Sequence, residues 1–339
     1  MATLLPKLQS YGTDDNQQPI GYHNLYCQIT HQHKYNTLTS VIAFMNQQID
    51  GLTNANRLGT AKNYRSAADC LKTFINDHNL TFTQMNARFV EQYYDYLQRK
   101  GLVRNSLSFH MRILRAVYNK AVRTGLAEPA NPFGNVYTGV DKTHKRAVDK
   151  DILTRLAELD LSHSAPLAFA RDLFLFSLYT RGMAFVDMAF LKLRNIADGN
   201  ICYLRRKTKQ QLCIRIEPCI QQIIDRYADR SNVYVFPILK SENDAAAYSQ
   251  YRVALAYYNR LLKRVSKMLG LQQGLSFYAA RHSWATLARE CNVPLSVISA
   301  AMGHTSERTT RIYLTSLENS LIDNANSGIL EHLNGMPSL

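Results

Sequence analysis

The pattern of hydrophobic and polar positions divides the chain into segments of different structure. Residues 1–35 show no clear period and are interpreted as a tail or small appendage. Over residues 36–126, apolar residues recur at spacings of three and four, which is typical of helices with one buried face. The pattern predicts four helices, with Gly101 and Gly125 as C-terminal caps, over SVIAFMNQQI, TAKNYRSAADCLKTFINDH, NARFVEQYYDYLQRKG and SLSFHMRILRAVYNKAVRTG.

A proline- and glycine-containing stretch follows, and residues 127–145 are interpreted as a linker between domains. A second domain is predicted over residues 146–316. It opens with a helix for which Asp149 is a suitable N-cap and continues with PLAFARDLFLFSLYT, which is apolar nearly all round and must be buried. The period then changes to two short strands in DGNICYLRRKTKQQLCIRIEP, with residues 207–210 at the tip. Further helices are predicted at about 219–227, 247–269, 278–291 and 295–302.

Length and composition fit a soluble protein of two domains. The chain has 339 residues, 46% of them hydrophobic, and no apolar run approaches the roughly 20 residues that a membrane span requires. The first residues lack the pattern of a secretory signal, so a cytoplasmic protein is expected. The six cysteines are scattered without metal-binding spacing and are interpreted as small buried residues in a reducing compartment. No metal or cofactor is expected.

The charge of the chain favours a polyanionic partner. There are 40 Lys and Arg residues against 26 Asp and Glu residues, a net charge of +14. Residues 101–123 contain five basic side chains and no acid; they are Arg104, Arg112, Arg115, Lys120 and Arg123. On a helix the last four of these fall within one arc, opposite an apolar face. A helix face that is only exposed to solvent normally carries both positive and negative side chains. Double-stranded DNA is therefore the favoured partner of this face. A membrane surface is disfavoured because this basic face lacks a large exposed apolar counterpart.

Five polar residues of the second domain stand in an order and spacing that chance rarely produces. They are Arg181 in YTRGMAFVDM, Lys207 in RRKTK, Arg281 in SFYAARHSWATLA, His304 in MGHTS and Tyr313 in RTTRIYL. Taken singly, each would be an ordinary surface or core-edge residue. With these motifs the chain resembles the tyrosine site-specific recombinases, the phage integrase family, and most closely those of Bacteroides-type bacteria.

The resemblance implies a fold and a reaction. The fold is mainly α, with an N-terminal four-helix core-binding (SAM-like) domain and an α-helical catalytic domain with a small β-hairpin, closing on DNA as a clamp. The reaction is site-specific cleavage and rejoining of DNA through a 3′-phosphotyrosyl intermediate. Arg181 and Arg281 would clamp the phosphate, Lys207 would be the general acid, His304 would hydrogen-bond the phosphate and Tyr313 would be the nucleophile.

The resemblance also implies an assembly. Residues 317–339 resemble the segment that docks onto a neighbouring protomer in this family. Four protomers would act at one synapse, with a monomer as the free form, and an accessory DNA-bending protein is an optional partner.

Two departures from the family pattern leave alternatives open. Tyr278 stands where the family usually has a histidine, and Ala184 stands where an acid usually follows the first arginine by three residues. Asp187 is therefore interpreted as a helper that bonds a neighbour, and Arg181 could pair either with Asp187 or with the phosphate. A DNA-binding relic without activity and a type IB topoisomerase stay as alternatives. The DNA site, and the choice between integration, excision and inversion, are not determined by the sequence.

Overall fold

The computed structural model describes residues 40–141, 147–229 and 231–313. The chain forms two compact units, Met1–Asp141 and Lys142–Leu339. The predicted N-terminal tail, Cys27 and the predicted docking segment 317–339 lie outside the described residues.

The first unit contains the four predicted helices. They are α1 (Val41–Asn54), α2 (Leu58–Ile75), α3 (Ala87–Arg99) and α4 (Arg104–Arg123). The side chain of Ser40 accepts the Ala43 N–H at the start of α1, and that of Asn86 accepts the Phe89 N–H at the start of α3. Gly101 and Gly125 have φ values of 79° and 72°, the left-handed conformation predicted for caps.

Helix α4 is the central element of this unit. Its predicted apolar face is buried, with Ile113, Val117 and Ala121 all less than a tenth exposed. The ring of Tyr118 packs edge-on against Phe133, 6.2 Å away between ring centres. The opposite face of α4 stays in solvent and carries the basic side chains.

The segment after α4 packs back along this helix as far as Asp141, whereas the sequence pattern predicts a linker from residue 127. Ser108 Oγ donates to the Gly139 carbonyl at 2.5 Å, and Tyr118 donates to the Glu128 carbonyl at 3.0 Å. Asn105 exchanges two hydrogen bonds with the backbone of Asp141. The prolines of this segment prevent a helical pattern, but side chains of α4 satisfy its backbone groups, and this pairing is not visible in the local sequence.

The second unit is mainly helical, as predicted. Its helices are α5 (Lys150–Glu158), α6 (Ala165–Tyr179), α7 (Phe185–Ala189), α8 (Pro218–Tyr227), α9 (Asp244–Met268), α10 (Phe277–Glu290), α11 (Leu295–Ala301) and α12 (Glu307–Tyr313). Helix α6 is buried on nearly all sides, as its composition predicts, and it packs against α9 and α10. Asp149 is at the N-cap of α5, although its side chain makes no capping hydrogen bond. Within the described ranges, no helix is long and apolar enough to cross a membrane.

A small antiparallel sheet interrupts the helices of this unit. The two predicted strands are β2 (Asn200–Leu204) and β3 (Gln211–Arg215), and a two-residue strand β1 (Ile196–Ala197) joins them in the order β1-β2-β3. Ile201 and Ile214 are paired partners on the buried face of the sheet. The hairpin between β2 and β3 carries the segment that includes Lys207.

The cysteines depart from the expectation of buried free thiols. Cys202 and Cys213 are direct partners in the register of β2 and β3, and they form a disulfide on the face opposite the buried isoleucines. Cys219 and Cys291 are exposed, and Cys70 is half-buried. Sequence spacing did not predict the disulfide because only the strand register brings the two residues opposite each other.

Candidate active site

Arg281 is at the centre of the candidate site. It lies on α10 and is only 4% exposed. Its Nη1 donates to the Gly182 carbonyl at 2.6 Å, and its Nη2 donates to the Met302 carbonyl at 2.5 Å. The same Nη2 lies 3.0 Å from His304 Nε2. The guanidinium therefore joins α10 to the turn after α6 and to the turn after α11, and these segments are far apart in sequence.

Glycines allow the two turns to approach this cluster closely. Gly182 has a φ of 71°, and a Cβ at this position would lie 2.9 Å from the Arg281 Cα. Gly303 has a φ of 62°, and a Cβ there would meet side-chain atoms of Leu212 and Arg205 at 3.0 and 3.1 Å. Both the backbone conformation and the lack of space disfavour any larger residue at these positions.

His304 is buried and is bonded through both ring nitrogens. Arginine has only donors, so Nε2 accepts from Arg281, and Nδ1 must carry the proton that is donated to Thr310 Oγ1 at 2.7 Å. Burial, together with the charges of Arg281, Arg205 and Lys207, lowers the pKa of His304 to about 3. The histidine is therefore neutral at pH 7 in the DNA-free protein.

The hairpin is joined to the same turn through Arg205. Ile201, Tyr203 and Arg205 alternate along one face, so Arg205 points inward and is only 6% exposed. Its Nη1 donates to the Gly303 carbonyl, which also accepts a hydrogen bond from Thr208 Oγ1 at 3.2 Å. Arg205 is not one of the residues predicted for the site, although the alternation of positions 201, 203 and 205 was a signal for its inward position.

Asp187 is the buried acid of the cluster and bonds a neighbour, as interpreted from the sequence. Its Oδ1 accepts the Arg206 backbone N–H at 2.9 Å, and its Oδ2 lies 4.0 Å from Arg205 Nε. Burial raises the pKa of Asp187, and the Arg206 N–H and the nearby arginines oppose that rise. Burial likewise raises the pKa of Tyr203, with Asp187 as a further cause.

Arg181 lies in the turn between α6 and α7, beside the glycine that contacts Arg281. Its φ is 59°, an uncommon conformation for a residue with a side chain. The side chain is half-buried, and its Nη1 lies 3.5 Å from the Cys213 carbonyl of β3. Among the described residues Arg181 has no carboxylate partner, because Asp187 is directed to Arg205 and Arg206.

The remaining predicted residues surround this cluster. Lys207 is exposed in the hairpin loop, and its charge contributes to the low pKa of His304. Tyr278 lies one turn before Arg281 on α10 and is 52% exposed, with its ring edge-on to His282 at 4.5 Å. Tyr313 is the last residue of α12.

The predicted DNA-binding side chains are all exposed on α4; they are Arg104, Arg112, Arg115, Lys120 and Arg123. The structure divides them into side chains that bond other side chains and side chains that make no such bond with a described residue. Arg104 lies over the Tyr137 ring at 3.9 Å and 3.5 Å from an Asp141 oxygen, while Arg115 donates to Thr138 at 2.9 Å.

Lys120 donates to Gln48. Arg112 and Arg123 make no side-chain hydrogen bond or ion pair with any residue in the described part of the chain. In the described ranges no cluster of three His, Cys, Asp or Glu side chains could hold a metal ion.

Known proteins resemble this chain over both units. Residues 40–136 match the phage integrase SAM-like domain, and residues 148–320 match the phage integrase family. Tyrosine recombinase XerC of Escherichia coli O157:H7 (strain EC4115 / EHEC) is 24% identical over 262 residues, which are 75% of this chain and 84% of XerC. XerC of Salmonella typhi is 24% identical over 261 residues, with the same two coverages.

Solved structures share the fold at low sequence identity. A lambda integrase dimer bound to a COC′ core site has a TM-score of 0.60 at 14% identity, covering 84% of this chain and 80% of that one. The Tn1549 transposon integrase in complex with transposon right end DNA has a TM-score of 0.60 at 13% identity, covering 86% and 100%. A lambda integrase tetramer bound to a Holliday junction has a TM-score of 0.59 at 14% identity, covering 90% and 89%. Because the catalytic-domain match alone spans half of the residues, the chain belongs to the phage integrase family.

Proposed function

We propose that Tyr313 of this tyrosine recombinase attacks the scissile phosphate of duplex DNA and forms a 3′-phosphotyrosyl bond. The observation that supports this most strongly is the contact between Arg281 and His304, in a cluster to which the Lys207 hairpin is also bonded. Several cationic side chains meet there with one buried acid, Asp187. The non-bridging oxygens of a phosphodiester gain negative charge when its phosphorus is attacked, and these cations would stabilise that charge. Helix α12 begins three residues after His304 and ends at Tyr313.

Arg281 and His304 are the proposed phosphate ligands at the centre. Carbonyls of Gly182 and Met302 hold the guanidinium in place before DNA binds, so little reorganisation is needed during the reaction. A phosphate oxygen would replace His304 Nε2 as the acceptor of an Arg281 N–H. The same negative charge would raise the low pKa of His304 and allow Nε2 to donate to the phosphate.

Lys207 is the proposed general acid. The Tyr313 hydroxyl loses its proton to solvent as its oxygen bonds phosphorus, the bond from phosphorus to the 5′ oxygen breaks, and the leaving oxygen takes a proton from the Lys207 ammonium. In the second step the neutral Lys207 amine accepts the proton of a 5′ hydroxyl of the partner strand, which attacks phosphorus, and the released Tyr313 oxygen regains a proton from solvent. The exposed position in the hairpin loop leaves the lysine accessible to DNA, and Arg205 at the start of this loop fixes it to the Gly303 carbonyl.

Arg181 and Tyr278 complete the proposed site. Arg181 has no carboxylate partner among the described residues, which leaves a phosphate oxygen as the natural counter-charge. Tyr278 projects into solvent from the helix of Arg281, so its hydroxyl can bond the phosphate. A tyrosine is a poor base near neutral pH, and we assign it a positioning role.

The substrate is proposed to be double-stranded DNA, held partly by the basic face of α4, with four protomers at the synapse and a monomer when free. XerC relatives are recombinases, and the integrase structures contain DNA in dimers and a tetramer. Relaxation without strand exchange, as by a type IB topoisomerase, is therefore not favoured.

Membership of the Bacteroides-type group, supported by the TRGM, RRKT and RHSWAT motifs, and the cytoplasmic location are part of this proposal.

A nicked suicide substrate tests the nucleophile. Tyr313→Phe removes one oxygen, so the covalent protein–DNA band should disappear while gel-shift affinity stays close to that of the wild type. Tyr278→Phe is the matched control, because it removes the same hydroxyl oxygen from the other tyrosine of the proposed site. It should slow formation of the adduct moderately without abolishing it. A covalent band with Tyr313→Phe would place the nucleophile elsewhere.

A further inference from the structure

The contact between His304 and Thr310 joins the phosphate site to the helix that carries the nucleophile. Thr310 is completely buried, and its Oγ1 lies 2.7 Å from His304 Nδ1. It precedes Tyr313 by three residues on α12, which is less than one helical turn.

We propose that Thr310 is a positioning residue that keeps the His304 proton on Nδ1, directs Nε2 at the phosphate site and sets α12 against the histidine. This inference rests on the proposed roles of His304 and Tyr313. One hydroxyl would thus serve two purposes, because it accepts the Nδ1 proton and it fixes the distance between the histidine and the nucleophile's helix.

The tautomer follows from the chemistry of the neighbours. An arginine N–H can only donate, so the nitrogen that faces Arg281 must accept, and the proton resides on Nδ1. Thr310 is the acceptor that makes this state favourable in a buried site. The same bond persists when Nε2 gains a proton to donate to the phosphate, because Nδ1 then still carries its hydrogen.

Removal of the Thr310 hydroxyl is expected to reach Arg281 through the histidine. The buried Nδ1–H would lose the Thr310 acceptor, which favours transfer of the proton to Nε2. Nε2–H would then face the Arg281 N–H, so two donors would oppose each other at a distance that is now 3.0 Å. This opposition would weaken the contact between the histidine and the arginine.

The adjacent Thr309 provides a matched control. It has the same side chain on the same helix, is half-buried, and no described contact joins it to His304. Val has almost the shape of Thr without the hydroxyl, so Thr310→Val and Thr309→Val make the same chemical change one position apart. Thr310→Ser keeps the hydroxyl and removes only a methyl group.

Single-turnover cleavage of a suicide substrate and nitrogen NMR of histidine-labelled protein test the inference together. Thr310→Val should lower the cleavage rate on the order of tenfold, the expected result of removing the hydrogen bond of a buried donor, with DNA affinity unchanged. Thr310→Ser and Thr309→Val should cleave at close to the wild-type rate. In the DNA-free protein the His304 signal, assigned by its absence in His304→Gln, should show a proton on Nδ1 and should change only in Thr310→Val.

The outcomes separate this inference from the proposed function. Wild-type cleavage by Thr310→Val, with Tyr313→Phe inactive, would overturn the role of Thr310 and leave the nucleophile in place. An unchanged His304 signal in Thr310→Val would also overturn it, as would equally slow cleavage by Thr310→Val and Thr310→Ser. If Thr310→Val does not fold, the NMR spectrum of the wild-type protein still tests the inference. A His304 proton on Nε2 instead of Nδ1 would be sufficient to reject it.

Discussion

At the scale of single residues, the structure decides which charge balances which. Two partners were open for Arg181 from the sequence, Asp187 and the scissile phosphate. Asp187 bonds the Arg206 N–H and lies near Arg205, so its oxygens are directed to the hairpin. Arg181 instead lies beside the Cys213 carbonyl, which carries only a partial charge. This favours the phosphate as the partner of Arg181.

Arg181→Ala should therefore affect cleavage far more than stability. We expect single-turnover cleavage to fall on the order of a hundredfold, the typical effect of removing one electrostatic donor, while the DNA-free protein melts almost as the wild type does. Arg181→Lys should recover part of the rate, because it keeps the charge but not the bidentate geometry.

Arg215→Ala is the control for this prediction. Arg215 is an arginine at the end of β3 whose side chain is 80% exposed and paired only with Glu217 among the described residues. Its removal should leave cleavage unchanged. Cleavage by Arg181→Ala at the wild-type rate would exclude Arg181 from the site.

At the scale of elements, α4 carries out two tasks with opposite faces. Its apolar face forms the core of the first unit, and its basic face is exposed along the length of the helix. The segment that follows α4 returns along it and engages Arg104 and Arg115 through Asp141, Tyr137 and Thr138. Some basic side chains of α4 thus have partners within the protein, whereas Arg112 and Arg123 have none among the described residues.

Arg112 and Arg123 are expected to contribute most to phosphate binding. The double change Arg112→Ala and Arg123→Ala should lower the magnitude of the slope of log K against log salt by up to about 1.8, at roughly 0.9 for each phosphate that is no longer neutralised. The measurement is DNA binding at several salt concentrations. Arg104→Ala should change the slope by less, because Arg104 already has a carboxylate partner. An unchanged slope in the double variant would show that this face is only solvated.

At the scale of the whole molecule, one polypeptide forms two compact units that carry different charged features. The first unit presents the basic helix, and the second contains the charged cluster around Arg281. In the proposed assembly four such chains meet on DNA, and the docking segment 317–339, outside the described residues, would couple one protomer to the next. Its apolar residues, Leu317 and Leu321 among them, stand at helical spacing and require a partner surface.

Deletion of residues 318–339 should separate DNA binding from assembly. We expect the truncated protein to bind a single site with wild-type affinity, as measured by gel shift, and to form neither synaptic complexes nor recombinant products. The full-length Tyr313→Phe protein is the comparison, since it should still form synapses although it cannot cleave. Full recombination by the truncated protein would contradict a role of this segment in assembly.

Local patterns were sufficient for most of the secondary structure. Helix α4 repeats its apolar residues with the helical period, and the nearly uniform apolar composition of α6 indicates a buried helix. Gly101 and Gly125 end helices because glycine enters the left-handed conformation at low cost. The motif residues from Arg181 to Tyr313 were also predicted from the sequence, because their order and spacing are uncommon, and their catalytic roles stay a prediction.

Only the tertiary structure decided which polar groups meet. The disulfide of Cys202 and Cys213 depends on strand register, and the inward position of Arg205 depends on a turn from another part of the chain. The bond from His304 to Thr310 depends on how α12 packs against the turn after α11. Such contacts join residues whose local sequences are independent, so periodicity carries no information about them. The periodicity of the sequence determined the helices, and packing in three dimensions determined the charge pairs and tautomer of the site.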